Sequence, residues 1–203
     1  MKLELCYNGK KCSLSGGIAV ADDSSKKVKE QPARYHIDER YEIIAGVRYD
    51  FLSSPKYIHQ QILGDLHLAF RDSCGAEGKI LLAPLDVHFD ENNVLQPDII
   101  YIAKDNAGII RDGYIYGAPD LVVEILSDAT GRRDKTIKKE TYERFGVREY
   151  WLVDPVYRVV EQFVLIDGRY SLAATLTESD RLVSPTVPCL GIELRDIFPE
   201  EDL

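Results

Sequence analysis

Apolar residues recur at helical spacing in SPKYIHQQILGDLHLAFRDSC, where Ile58, Ile62, Leu63, Leu66 and Phe70 form one stripe. The pattern predicts an amphipathic helix that starts near Ser54 and Pro55. Most of the remaining chain has the period of strands. RYEIIAGVRYDFL reads as two short strands joined at Ala45-Gly46. GKILLAPLDVHF and VLQPDIIYIA are strand-like runs separated by the turn residues DENN, and LVVEIL is a third strand. A second helix begins at Asp128 or Thr130 and stops at Gly146. Beyond it EYWLVDP is a strand, and VVEQFVLIDGRYSLAATL is a hairpin that turns at IDGR. Residues 1–33 are rich in Ser, Gly and Lys with weak periodicity, and read as a flexible segment or an edge strand before a single domain over 34–203. No internal repeat is visible. The order helix, strands, helix, strands favours a mixed-sheet α/β or α+β layered fold.

Composition narrows this picture. At 203 residues and 45% hydrophobic, the chain can bury a substantial core. No apolar stretch approaches the roughly 20 residues of a membrane span, and MKLELCYNGKKC lacks the apolar core of a signal peptide, so a cytoplasmic protein is expected. Cys6, Cys12, Cys74 and Cys189 form no CxxC and have no His at metal-finger spacing, so they read as reduced thiols and not as a disulfide framework or zinc site. The formal charge of −9 argues against simple electrostatic capture of nucleic acid. Local asymmetry matters more than the sum: Arg132, Arg133, Lys135, Lys138 and Lys139 crowd into one short basic stretch.

The candidate chemistry starts at Glu124, a charged residue inside the apolar run DLVVEIL. Burying a carboxylate is costly unless something pairs with it. By the two-residue period, Asp120, Val122 and Glu124 share one face, and Leu121 and Val123 the other. Asp98 follows Pro97 at the start of DIIYI. If neighbouring strands set Asp98 beside Glu124, the two carboxylates repel strongly, and a divalent cation resolves the conflict. Carboxylate oxygens with waters suit Mg²⁺, which positions and acidifies a water for attack on phosphorus. Charge that builds on the phosphoryl oxygens needs a cation as well. Asp134, Lys138 and Tyr142 are spaced by four, which puts them on one helical face. That face is either turned toward Glu124 or an ordinary solvated ion pair with a packing tyrosine.

QPDIIYI, GAPDLVVEILS and RRDKTIKKETYERFGVREYWLVDP resemble the signature of the Uma-two family, putative restriction endonucleases of the PD-(D/E)XK nuclease superfamily. The likeness runs over residues 34–198 and is most specific from Ala118 to Pro155. It implies an α/β, restriction-endonuclease-like fold with a central mixed β-sheet flanked by helices and a C-terminal β-hairpin. Asp98 then matches the first acidic residue of the superfamily motif and Glu124 the second. The residue two beyond Glu124 is Leu126 and not lysine, so Lys138 is the matching, migrated lysine, with Lys139 as its neighbour.

Further residues have a role by resemblance beside a plainer one. His59 matches a histidine common in the family and contacts substrate or a metal-bound water, or else pairs on a polar helix face. Glu42 completes the acidic cluster or is an exposed strand residue, and Gln96 touches the metal shell or serves the turn before Pro97. Asp120, which also follows a proline, is a turn residue or supports the ligands from behind. Tyr150 and Trp151 read as core packing. The resemblance implies a Mg²⁺-dependent endonuclease acting on DNA, with Mn²⁺ as a substitute. Because one such site cuts one strand and an acidic chain offers limited basic surface, a homodimer is expected, and no membrane partner. The alternatives are a catalytically silent nuclease-fold module that binds nucleic acid or protein, and a phosphodiesterase acting on RNA or a small nucleotide. In the leading reading, Lys138→Ala abolishes cleavage while folding persists, and Lys139 points away from the carboxylates.

Overall fold

In the computed structural model, residues 40–50 and 54–199 are described, and the expected N-terminal segment 1–33 lies outside them. The hairpin at Ala45-Gly46 joins β1 (Tyr41–Ile44) to β2 (Val47–Asp50). Both turn residues have positive φ, 51° and 76°, as the two-residue turns that match strand twist require. Helix α1 (Tyr57–Cys74) begins two residues after the expected Pro55, with Lys56 preceding its first turn.

The run GKILLAPLDVHF is not one strand. A cis peptide at Ala83-Pro84 separates β3 (Gly78–Leu82) from β4 (Val87–Asp90), and the two strands belong to different sheets. β5 (Asn93–Leu95), β6 (Ile99–Ala103), β7 (Ile110–Arg111), β8 (Tyr114–Tyr116) and β9 (Leu121–Ile125) follow. A continuous helical stretch then comprises α2 (Gly131–Arg133), a π turn (Asp134–Lys138) and α3 (Lys139–Phe145), closed by Gly146 at φ 82°. β10 (Glu149–Asp154), β11 (Val159–Ile166), β12 (Arg169–Thr177), β13 (Arg181–Val183) and β14 (Gly191–Glu193) complete the order.

The central sheet runs β12-β11-β10-β9-β6-β3. It is mixed: β9 and β10 are parallel, joined by the helical crossover that parallel neighbours need, and the other pairs are antiparallel. The C-terminal hairpin β11–β12 forms its edge, as expected. A second six-stranded sheet, β2-β1-β5-β4-β8-β7, was not anticipated from the sequence.

Side-chain alternation on β9 divides the core. Leu121, Val123 and Ile125 pack with Ile62, Leu66 and Phe70 of α1 on one face, where Phe70 and Trp151 have ring centroids 5.5 Å apart. Val122 packs on the opposite face with Tyr142, Tyr150 and Ile44. Burial of both faces explains why β9 and β10 read as nearly continuous apolar runs.

One expectation fails here. Cys74, at the last turn of α1, is disulfide-bonded to Cys189, with Cα atoms 5.4 Å apart. Their separation of 115 residues carried no information about proximity, because it is the packing of α1 beside β14 that brings them together. Cys6 and Cys12 lie outside the described residues.

Candidate functional site

The antiparallel register of β6 on β9 pairs Ile99 with Val123. Asp98 immediately precedes that pair in one chain segment and Glu124 immediately follows it in the other, so both carboxylates come to the same end of the strand pair. Asp98 and Glu124 line one cleft of about 680 Å³, together with Lys138, His59, Gln96 and Arg133. The crossover from β9 to β10 carries the helical stretch over the face that bears Glu124, so Lys138 arrives from a different element at the same place.

Lys138 is 2% exposed and bracketed by acids. Its Nζ donates to Glu124 Oε1 at 2.9 Å, and lies 2.8 Å from Glu42 Oε1 and 3.4 Å from Asp134 Oδ1. The Asp134 contact is an ion pair without a hydrogen bond, and Asp134 Oδ1 is buried with no hydrogen-bond partner. The Tyr142 hydroxyl donates to Glu124 Oε1 at 2.6 Å, and the backbone N–H of Gln96 donates to Glu42 Oε1 at 2.9 Å. Lys139 projects elsewhere, its ammonium 3.5 Å from the centre of the Phe163 ring.

The Asp98 carboxylate is fixed by its Oδ2, which accepts from the backbone N–H of Ile125 at 2.8 Å and lies 3.2 Å from His59 Nε2. Burial alone lowers the proton affinity of the His59 imidazole, but the hydrogen bond and charge of Asp98 outweigh it and carry the group above its ordinary value. Burial lifts the Glu124 carboxyl well above the usual range, and Lys138 pulls it only part of the way back. Burial opposes the Lys138 ammonium, yet Glu124, Glu42 and Asp134 together push it well above its ordinary value. Lys138 and Glu124 thus hold each other charged against the cost of burial, with Glu42 and Asp134 adding to the pull on the ammonium.

This donor set fits a divalent cation. Glu42 Oε2 is buried without a hydrogen-bond partner, which leaves an acceptor open beside the cleft. Every hydrogen bond that Asp98 and Glu124 make through their carboxylates to described residues uses one oxygen of each. Among the described residues no three His, Cys, Asp or Glu side chains converge to hold an ion. Two carboxylates completed by waters is the arrangement Mg²⁺ accepts and structural zinc does not.

Of the sequence-named residues, the structure gathers Asp98, Glu124, Lys138, Glu42, His59, Gln96, Asp134 and Tyr142 in or against the cleft. Glu42 is wholly buried, not an exposed strand residue. Asp120 lies apart: at the other end of β9 it accepts from the Ala103 N–H, the Asn106 side chain and Arg148. Sequence reasoning missed Arg133 as a cleft residue because an α-helical period sets it off the Asp134–Lys138 face. It also missed Glu149, whose buried carboxylate accepts from Trp151 Nε1, Gln162 Nε2 and the hydroxyls of Ser184 and Thr186.

Comparison with known proteins agrees with this architecture. The model of the Uma2 family, described as "Putative restriction endonuclease", matches residues 30–195. Among solved structures, a putative nuclease belonging to DUF820 from Anabaena variabilis ATCC 29413 superposes with a TM-score of 0.66 at 19% identity, covering 79% of this chain and 90% of that one. At that identity the likeness speaks for the fold, which is restriction-endonuclease-like. No curated protein matches. No helix among the described residues is long and apolar enough to cross a membrane.

Proposed function

The chain belongs to the Uma2 family of putative restriction endonucleases, and on that premise we propose that its cleft hydrolyses phosphodiester bonds of DNA with a divalent cation, Mg²⁺ or in its place Mn²⁺. The observation that carries this reading is the convergence of Asp98, Glu124 and Lys138, from two strands and a helix, on one cleft. Asp98 and Glu124 would hold the ion. When bound it supplies Lewis acidity and a water acidified for attack.

The protein's own groups do the positioning. The Ile125 N–H and His59 fix the Asp98 carboxylate, and Tyr142 fixes Glu124. Lys138 keeps a firmly protonated ammonium at the cleft wall, where it orients the attacking water or offsets charge developing on the phosphoryl oxygens. Because one such site cuts one strand, a homodimer with paired clefts is the expected working form. A solution mass equal to one chain at working concentration would count against it.

One observation favours a catalytically silent nucleic-acid- or protein-binding module instead: the Lys138 ammonium is already engaged by Glu42 and Glu124. A single experiment separates the two. Titrating Mg²⁺ or Mn²⁺ should raise the melting temperature saturably in the wild type and not in Asp98→Asn, and the same metals should support cleavage of plasmid, single-stranded or structured DNA. A saturable shift without cleavage of any substrate selects the silent module. Absence of both removes the metal-dependent reading.

A further inference from the structure

The β1–β2 hairpin is docked to the helical stretch by two cations. Glu42 and Tyr49 are directly opposite each other across the hairpin. Lys138 binds the carboxylate of Glu42 at 2.8 Å, and the Arg133 guanidinium lies 4.9 Å from the centre of the Tyr49 ring. The π turn makes this double contact possible. Its hydrogen bonds join residues five apart, which is the separation of Arg133 and Lys138, whereas an α-helical period would turn one of the two away. Both side chains line the cleft.

The two cations differ in how they are balanced. Lys138 faces three carboxylates, and Lys56, at the cleft rim, is paired with Asp128 at 2.6 Å. Arg133 has no ion pair with any described residue, and its Nε is buried without a hydrogen-bond partner. Stacking on Tyr49 holds the side chain without neutralising it. A guanidinium held by a ring, uncompensated by carboxylate and set beside an acidic centre, is suited to an anion that such a centre must admit: a phosphate diester.

We infer that Arg133 is a substrate-positioning residue that contacts a backbone phosphate of the nucleic acid in this cleft. The inference rests on the phosphodiester reading above. It assigns Lys138 to the reacting centre and Arg133 to the neighbouring backbone, with Tyr49 as the platform that sets the guanidinium in place.

The test is binding of a short DNA duplex in Ca²⁺ across a series of salt concentrations, for wild type, Arg133→Gln and Arg133→Lys. Neutralising one phosphate contributes close to one unit to the slope of log affinity against log salt. Arg133→Gln is expected to flatten that slope by about one, and Arg133→Lys to retain it while binding more weakly. An Arg133 that only docks the hairpin would lower the melting temperature in both variants and leave the slope alone, which overturns the inference and spares the proposed function. Should Arg133→Gln fail to fold, the Nε–H resonance of Arg133 in the wild-type protein carries the question. It is expected to shift when duplex is added, and an unmoved resonance in a protein that binds the duplex overturns the inference. Wild-type protein that neither binds nor cuts duplex with any of these metals overturns the proposed function and this inference together.

Discussion

The ammonium of Lys138 stands 2.9 Å from Oε1 of Glu124, although the two residues belong to different elements and Glu124 is the one charged residue of an otherwise apolar strand. The charge inside the strand and the basic stretch after it are therefore parts of one buried cluster. Isolated, either charge would be prohibitively costly at this depth.

That burial changes what Lys138→Ala does. The sequence alone suggests a variant that folds and fails to cut. With Glu42, Glu124 and Asp134 left without their cation, a loss of about 3–5 kcal/mol is expected. Urea unfolding should show a lowered midpoint. Adding Glu124→Gln to Lys138→Ala should recover part of the loss, and a fully additive pair would mean the contact carries no coupling.

Tyr142→Phe removes the 2.6 Å hydrogen bond to Glu124 and keeps the ring contacts to Phe89 and Tyr150. A cost of about 1.5–3 kcal/mol is expected, smaller than that of Lys138→Ala because Glu124 keeps its ammonium. Thermal unfolding with and without Mg²⁺ would show whether the loosened carboxylate also weakens ion binding.

Glu149 predicts a purely structural effect. Its two oxygens gather donors from β10, β11 and the segment Ser184–Thr186, fastening the C-terminal part of the chain to the central sheet. Glu149→Ala strands several buried donors and should cost about 3 kcal/mol or more. Limited proteolysis is expected to cut first near residues 184–187, and cleavage elsewhere first would argue against this fastening role.

Acid sensitivity should include Glu143. The backbone N–H of Tyr170, at 2.6 Å, and Arg169, at 2.9 Å, hold its carboxyl below the ordinary 4.5. A depressed carboxylate adds stability above its unfolded value and loses it as pH falls through the folded one. The wild type should therefore exceed Glu143→Gln in stability at pH 7, with the gap closing only below about pH 4.5. Arg169 is 85% exposed, so the gap should stay under about 1 kcal/mol. Melting curves of both proteins from pH 7 to pH 3 provide the check.

Much of the fold was written locally. The stripe from Ile58 to Phe70 and the Ala45-Gly46 and Asp167-Gly168 turns specify their elements by short-range rules, and the structure has them there. The parity of Glu124 against Val123 was equally legible, because the pleat allows only two faces. The second sheet was missed although Asp112-Gly113, both at positive φ, carry a strong hairpin signal. β7 and β8 are too short for alternation to show. The π turn was invisible for a different reason: spacing by four and spacing by five both bring a lysine to the cleft, and only tertiary packing selects between them. Nothing local announces that Cys74 meets Cys189 or that Glu149 gathers five donors, since each depends on chain that returns from far away.

The link between Cys74 and Cys189 gives the unfolded chain a shape of its own. Asp98, Glu124 and Lys138 fall inside the covalent loop, while Glu42 and His59 fall on the tail that precedes it. Unfolded with the link intact, the protein is a lasso whose knot-point sits at the end of α1, and its smaller repertoire of shapes favours the native state by about 4–5 kcal/mol for a loop of this order. In a denaturing gel the linked lasso should outrun the same chain after reduction.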